Sequence, residues 1–193
     1  PDGLVHCFSP RDLLRLDNIA FQRKRYVQRG KMEAQALALS RHVIGRTPWD
    51  RACTQILAPK AQYHFCNETL RQDFYSGSWA YERCVPHRIF VSSAAIPIKG
   101  FHYLLEALPM ILRQYPDTTV CVPGPDIFHT TGKARLLEQT YHRYLRKYAE
   151  TLNLLDKVRF LGHLSPEAMK ENYLSSNVFA LPSTVENSPN SLG

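Results

Sequence analysis

The sequence contains no uninterrupted apolar stretch near the roughly 18 residues that a membrane span requires, and its start lacks the basic, apolar, small-residue order of a secretion signal. A membrane-spanning protein and a secreted precursor are therefore not what it describes, although peripheral contact with a membrane on the cytoplasmic face stays compatible with it. No Cys-x-x-Cys pair occurs, and the five cysteines, Cys7, Cys53, Cys66, Cys84 and Cys121, are scattered and odd in number. That argues against a zinc site, a redox motif or a disulfide framework, and for reduced thiols in a cytoplasmic protein. The eight histidines show no metal-ligand spacing, and there is no internal repeat and no low-complexity tract. Nor does the chain open on a methionine or close on a helix after its last strand candidate, so both ends read as cut.

What is present is enough apolar material for a core: 44% hydrophobic and 11% aromatic residues against 21% charged, a balance unlike that of a disordered chain. The 24 Lys and Arg against 17 Asp and Glu give a net charge of +7, which suits a phosphate-bearing ligand, an anionic membrane surface or nucleic acid equally. The densest basic clusters are Arg23-Lys24-Arg25 and the run from Arg143 to Lys147, the latter interleaved with Tyr141, Tyr144 and Tyr148. That spacing of three and four describes a solvated helix face with tyrosines packed beneath it, and no nucleic-acid reading motif accompanies it.

Residues 21–39 suit a helix, followed by a short strand at His42-Val43-Ile44-Gly45. Thr47-Pro48-Trp49-Asp50 then supplies a helix cap, a first-turn proline and an acid at the positive helix end, with Trp49 expected between helix and sheet. Residues 61–66 are a second strand, ahead of Asn67-Glu68. Residues 73–87 have no clean period and read as a linker between residues 1–72 and 88–193.

The pattern then restarts with a strand at 88–92. A helical face comes next, on Phe101, Leu104, Leu105, Leu108, Ile111, Leu112 and Tyr115, in which Pro109 predicts a kink or a second segment. A strand at 118–122 ends in Pro123-Gly124-Pro125, and a long helix is predicted from about 133 to 152. A strand at 157–161, the turn Gly162-His163-Leu164, a capped helix from Ser165-Pro166-Glu167 and a strand at 177–181 complete the order. Such alternation predicts an α/β fold: a parallel sheet with helices on both faces and ligands beyond the carboxyl ends of the strands.

The strand-end segments carry the chemistry: Ser92-Ser93 through Lys99-Gly100, Pro123-Gly124-Pro125, Leu161-Gly162-His163-Leu164, and Pro182-Ser183-Thr184-Val185-Glu186-Asn187-Ser188-Pro189. Taken alone, Lys99 is equally a solvated lysine near a helix start, and Glu186 an ordinary surface carboxylate. In their order and spacing, however, these segments resemble the C-terminal domain of glycosyltransferase family 4 over residues 88–193, and less closely over residues 1–87. The resemblance implies the GT-B fold, two facing Rossmann-like domains, both incomplete here. Residues 1–72 would be the end of the acceptor-side domain and 88–193 the donor-binding domain.

The same resemblance implies roles for individual residues. Lys99 would bind the donor diphosphate and stabilise the charge on the leaving group. Ser93 stands where the family typically has an arginine sharing the phosphate load, so that part of the site departs from the pattern. Glu186 would contact hydroxyls of the donor sugar, as the first of two glutamates separated by seven residues, the second of which would fall at position 194. Gly124 would line the donor site, and backbone groups at Gly162, His163 and Leu164 would read the nucleotide base. Asn187-Ser188-Pro189 replaces a glycine-rich stretch. From its cap-and-proline pattern, free amides at Asn190, Ser191 and Leu192, beside Ser188, are expected to form an anion site at a helix start. His163 as a general base and Asp126 as an acid gain no support beyond their turn positions.

The expected function is transfer of a sugar from a nucleotide-diphosphate-sugar donor to a saccharide or lipid-linked acceptor, with retention of configuration, in glycan or polysaccharide biosynthesis. No cofactor is expected and no metal requirement, since cations and helix amides would hold the diphosphate; the sequence has no Asp-x-Asp. These 193 residues alone are expected to lack turnover. Two alternatives stay open: a non-catalytic nucleotide-binding module of the same fold, and a basic nucleic-acid-binding protein using the helix around Arg143 to Tyr148.

Overall fold

The computed structural model describes residues 9–193; Cys7 and the beginning of the chain lie outside the described residues. Two parallel sheets are built in succession. In the first, β1 (His42–Gly45) and β2 (Gln62–Phe65) pair in parallel across α3 (Pro48–Leu57). Two helices precede them, α1 (Pro10–Arg15) and α2 (Ile19–Leu39). The second sheet holds β3 (Val85–Val91), β4 (Thr119–Val122), β5 (Val158–Phe160) and β6 (Ser176–Ala180), all parallel, in the order β5-β4-β3-β6. Its crossovers are α4 (Phe101–Gln114), α5 (Gly132–Leu136) with α6 (Thr140–Thr151), and α7 (Pro166–Leu174).

The alternation of side chains along β3 explains why helices cover both faces. Ile89 and Val91 join Leu104, Leu105 and Leu108 of α4 and Leu145 of α6 in one buried cluster. Phe90 points the other way, fully buried, with its ring 4.9 Å edge-on from Tyr173 of α7 and 6.4 Å from Phe179 of β6. A strand apolar on both faces can only sit inside a layered α/β unit.

Four local expectations are corrected. Pro109 does not start a second segment: one helix spans it, with Leu104 and Leu105 before the proline and Ile111 and Leu112 after it packed in the same core. Tyr115 lies past the helix end and is half exposed, its ring 4.6 Å from that of His87. The long helix at 133–152 is broken at 137–139, where the chain turns in to bury Glu138 against Arg146 and restarts at Thr140. The restart is capped from a distance, since the Asp12 carboxylate of α1 accepts from the Thr140 amide at 3.0 Å and from its hydroxyl. Trp49 does not pack between helix and sheet but is 61% exposed, because Asp50 and Thr54, one turn apart, take the inner face of α3.

The capping box read at Thr47 is formed, with the Thr47 hydroxyl accepting from the Asp50 amide at 3.1 Å and the Asp50 carboxylate accepting from the Thr47 amide at 3.2 Å. Of the expected linker 73–87, residues 85–87 already belong to β3, and the rest carries two short 3-10 turns, Gln72–Tyr75 and Tyr81–Arg83, and is anchored. Phe74 meets Tyr173, and the Trp79 indole donates to the Ser176 carbonyl at 2.9 Å.

Gly100 ends the turn Pro97–Lys99 and opens α4 at φ 69°. A Cβ there would overlap the Pro182 carbonyl oxygen, backbone that cannot swing aside. Gly132 has a similar φ of 57° but open space around it. Gly100→Ala is therefore expected to cost about 2 kcal/mol or more, against roughly 1 kcal/mol for Gly132→Ala. Urea denaturation of the two variants checks the difference, and equal losses would contradict the close approach.

Candidate functional site

The chain leaves β3 to one side through β4 and β5, then returns to place β6 on the other side of β3. The reversal sets the carboxyl ends of β3 and β6 side by side, the switch point where open α/β sheets form the crevice that takes ligands. Two loops line it. The one after β3 carries Ser93 and Lys99, and the one after β6 carries Pro182 to Asn187.

These loops are bound to each other. The Thr184 amide donates to the Ile98 carbonyl at 3.0 Å, with its hydroxyl on the same oxygen at 3.3 Å, while Gly100 packs beneath Pro182. Held this way, Lys99 Nζ donates to Glu186 Oε1 at 2.5 Å. The side chains remain 31% and 22% exposed, so the pair faces the crevice rather than the core. The Lys99 ammonium beside it holds the Glu186 carboxyl below its usual range. A cation and a carboxylate fixed side by side can bind a phosphate group and sugar hydroxyls respectively.

Ser93 follows β3 on the same loop as Lys99, and its hydroxyl accepts from the Ala95 amide at 3.2 Å, a local turn contact. Further along the crest, Gly124 after β4 and Gly162 after β5 form an antiparallel bridge, with amide-to-carbonyl distances of 2.7 and 3.1 Å. Their peptide groups are thus engaged with each other. His163 beyond them is exposed and Leu164 half-buried.

No helix starts at Pro189: Ser188 adopts φ 56°, residues 190–192 form a turn, and the Leu192 amide donates to the Pro189 carbonyl at 3.0 Å. Of the amides expected to form an anion site, that of Leu192 is engaged within this turn. Asp126 is a turn residue, accepting from the Phe128 and His129 amides at 2.8 and 3.1 Å and from the His129 ring.

The contact that the sequence did not reveal comes from the first sheet. Asn187 Nδ2 donates to Asp50 Oδ2 at 3.2 Å, and the Thr47 hydroxyl donates to Asn187 Oδ1 at 2.6 Å. Asp50 also accepts from the Tyr63 hydroxyl at 2.5 Å and the Arg46 amide at 2.9 Å, contacts that hold its carboxyl far below the usual range. In sequence Asp50 carried only the signal of a helix-capping acid. Beside this junction lies a cavity of about 460 Å³ lined by Gly45, Asp50, Tyr63, Asn67, Asn187 and the ion pair of Arg46 with Glu68.

The basic helix around Arg143 is a packed face. Arg146 is buried between Glu138 and Glu150, Arg143 lies 3.8 Å from Glu138, and Tyr144 and Tyr148 pack against the core. Among the described residues the cysteines are free, no group of three or more potential metal ligands occurs, and no helix is long and apolar enough to cross a membrane.

The family model described as Glycosyl transferases group 1 matches residues 85–192. No curated protein sequence matches the chain. Among solved structures, a sucrose-phosphate synthase from Thermosynechococcus elongatus is 20% identical over 82% of this chain and 39% of its own, with a TM-score of 0.60. A variant of S. aureus TarM, in a complex that includes UDP, is 13% identical over 83% of this chain and 29% of its own, at 0.61. Anabaena HepE, in complex with UDP and glucose, is 17% identical over 79% of this chain and 40% of its own, at 0.58. At these identities the likeness concerns the fold, which is of GT-B type, and the chain spans well under half the length of each.

Because Glu186 is depressed from its ordinary value near 4.5, its contribution to stability is complete above that value and is lost as pH falls through the lower folded one. Lys99→Met should return the Glu186 titration midpoint toward 4.5. The stability gap between parent and variant should be present at neutral pH and close in acid. Carboxyl-detected NMR titration, with denaturation at both pH values, checks this; a gap that persists unchanged in acid contradicts the pairing.

Proposed function

The chain belongs to the Glycosyl transferases group 1 family, and from that premise we propose that it moves a sugar from a nucleotide-diphosphate-sugar donor to a saccharide or lipid-linked acceptor. The carrying observation is the Lys99–Glu186 pair, 2.5 Å apart, in the crevice between β3 and β6. In this reading Lys99 neutralises the diphosphate as the glycosidic bond to it breaks, and Glu186 holds hydroxyls of the sugar being moved. Stabilising the departing nucleotide with a preorganised cation is the main catalytic contribution, and no protein nucleophile is invoked. We assign the chain to family 4 and its retaining mode on the strand-end segments that carry Ser93, Lys99, Gly162 and Glu186. The anomeric configuration of the donor would then be preserved in the product of polysaccharide assembly.

The nucleotide lies along the crest toward Gly124, Gly162, His163 and Leu164, so that base, diphosphate and sugar run in one line from β5 to β6. The cavity of about 460 Å³ across the junction supplies hydrogen-bonding groups on the opposite wall, the chemistry that a hydroxyl-rich acceptor requires. Binding of the donor through Lys99, backbone groups and Glu186 places no demand on a metal or cofactor, and we place the reaction on the cytoplasmic side, with lipid-linked acceptors met at the membrane face. A second reading, a nucleotide-binding module without turnover, draws on Ser93, whose hydroxyl is committed to the Ala95 amide where the family pattern has an arginine.

A thermal-shift screen of the full-length protein against nucleotide sugars is expected to find one that raises its melting temperature. On that donor, Lys99→Ala and Glu186→Ala should each lower transfer about 100-fold or more. No stabilising nucleotide sugar would sink the proposal, and stabilisation without turnover would select the second reading.

A further inference from the structure

Glu186 lies on a segment pinned at two points. Two residues before it, Thr184 is bonded to Ile98 within the second sheet's own crest, and immediately after it Asn187 is bonded to α3 of the first unit. The second anchor is specific in chemistry. An ionised Asp50 can only accept, so the amide edge it meets must be the NH2 of Asn187, which turns the amide oxygen to the Thr47 hydroxyl. Neither partner can drift, because Thr47 and Asp50 form the capping box of α3 and Asp50 is tied to β2 through Tyr63. Beyond Asn187 the chain turns at Ser188, which adopts a left-handed φ of 56°.

We propose that Asn187 is a positioning residue: clasped by Thr47 and Asp50, it fixes the Glu186 loop from the acceptor-side unit, so that this unit sets where the carboxylate meets the donor sugar. The placement comes from geometry, while its catalytic consequence rests on the sugar-transfer reading. Closure of the two units and readiness of the donor site are then one event, since separating α3 from the loop frees the residue next to Glu186.

The test has a ligand-free arm and a ligand arm, both on the full-length protein. Asn187→Ala should leave the melting temperature within about 2 °C of the parent, as expected for a half-buried surface contact. It should raise the proton affinity of Glu186 roughly threefold or more, read by carboxyl NMR, as the pairing with Lys99 loosens. Thr47→Val should act in the same direction, and Thr47→Ser, which keeps the hydroxyl, should restore the parent midpoint. By calorimetry, Asn187→Ala should weaken UDP-glucose several-fold while leaving UDP unchanged, because the clasp governs the sugar-facing carboxylate and not the nucleotide. A Glu186 midpoint unmoved in both Asn187→Ala and Thr47→Val overturns the proposal, even if Glu186-dependent binding of UDP-glucose persists. A shifted midpoint in a protein that binds neither probe upholds the clasp and counts against the sugar-transfer reading.

Discussion

The close approach of two strand-end loops at the point where the strand order reverses is the constraint on which the site depends. Gly100 lies against the Pro182 carbonyl with no room for a side chain, and Thr184 is bonded to Ile98. Only because these backbones touch can a lysine leaving β3 reach a glutamate leaving β6, residues 87 positions apart in the chain. An ion pair this exposed contributes little to stability by itself. Its geometry is imposed by the backbone beneath it, which leaves both charged ends available to a ligand.

That backbone is held by a core divided between two faces. On one, Phe101, Leu105 and Leu108 of α4 and Leu145 of α6 cover Ile89 and Val91; on the other, Tyr173 and Phe179 enclose Phe90. Close packing on both sides makes β3 a poor place for movement, so the loop bearing Lys99 starts from a rigid base. The first unit is different in kind. Its two strands are largely exposed, and its link to the site is a short polar clasp of Thr47 and Asp50 on Asn187. A rigid platform beneath the Lys99 loop joined to a more weakly held partner is an arrangement in which the joint can open without disturbing the platform.

The residues at 140–151 show how one pattern can serve two purposes. Basic and tyrosine residues at helical spacing would suit a nucleic-acid groove, yet Arg146 is spent on Glu138 and Glu150 and the tyrosines stack along the core. Charge that is neutralised inside a fold is not offered to a polyanion, whatever the net charge of +7 implies about the molecule at long range.

The alternation of strands and helices, the amphipathic face of α4, the capping box at Thr47 and the positions of Lys99 and Glu186 at strand ends were all determined by the sequence. Each depends on neighbours a few residues apart, where periodicity and side-chain chemistry act directly. Three features were decided only by tertiary structure. Pro109 is accommodated because both halves of α4 are anchored, and the helix after β4 breaks because Glu138 and Arg146 find each other. Trp49 faces water because Asp50 and Thr54 took the inner side. The Asn187 clasp belongs with them: local pattern records what a residue can do with its neighbours, and Asp50 meets Asn187 across 137 residues only once two sheets have been placed side by side.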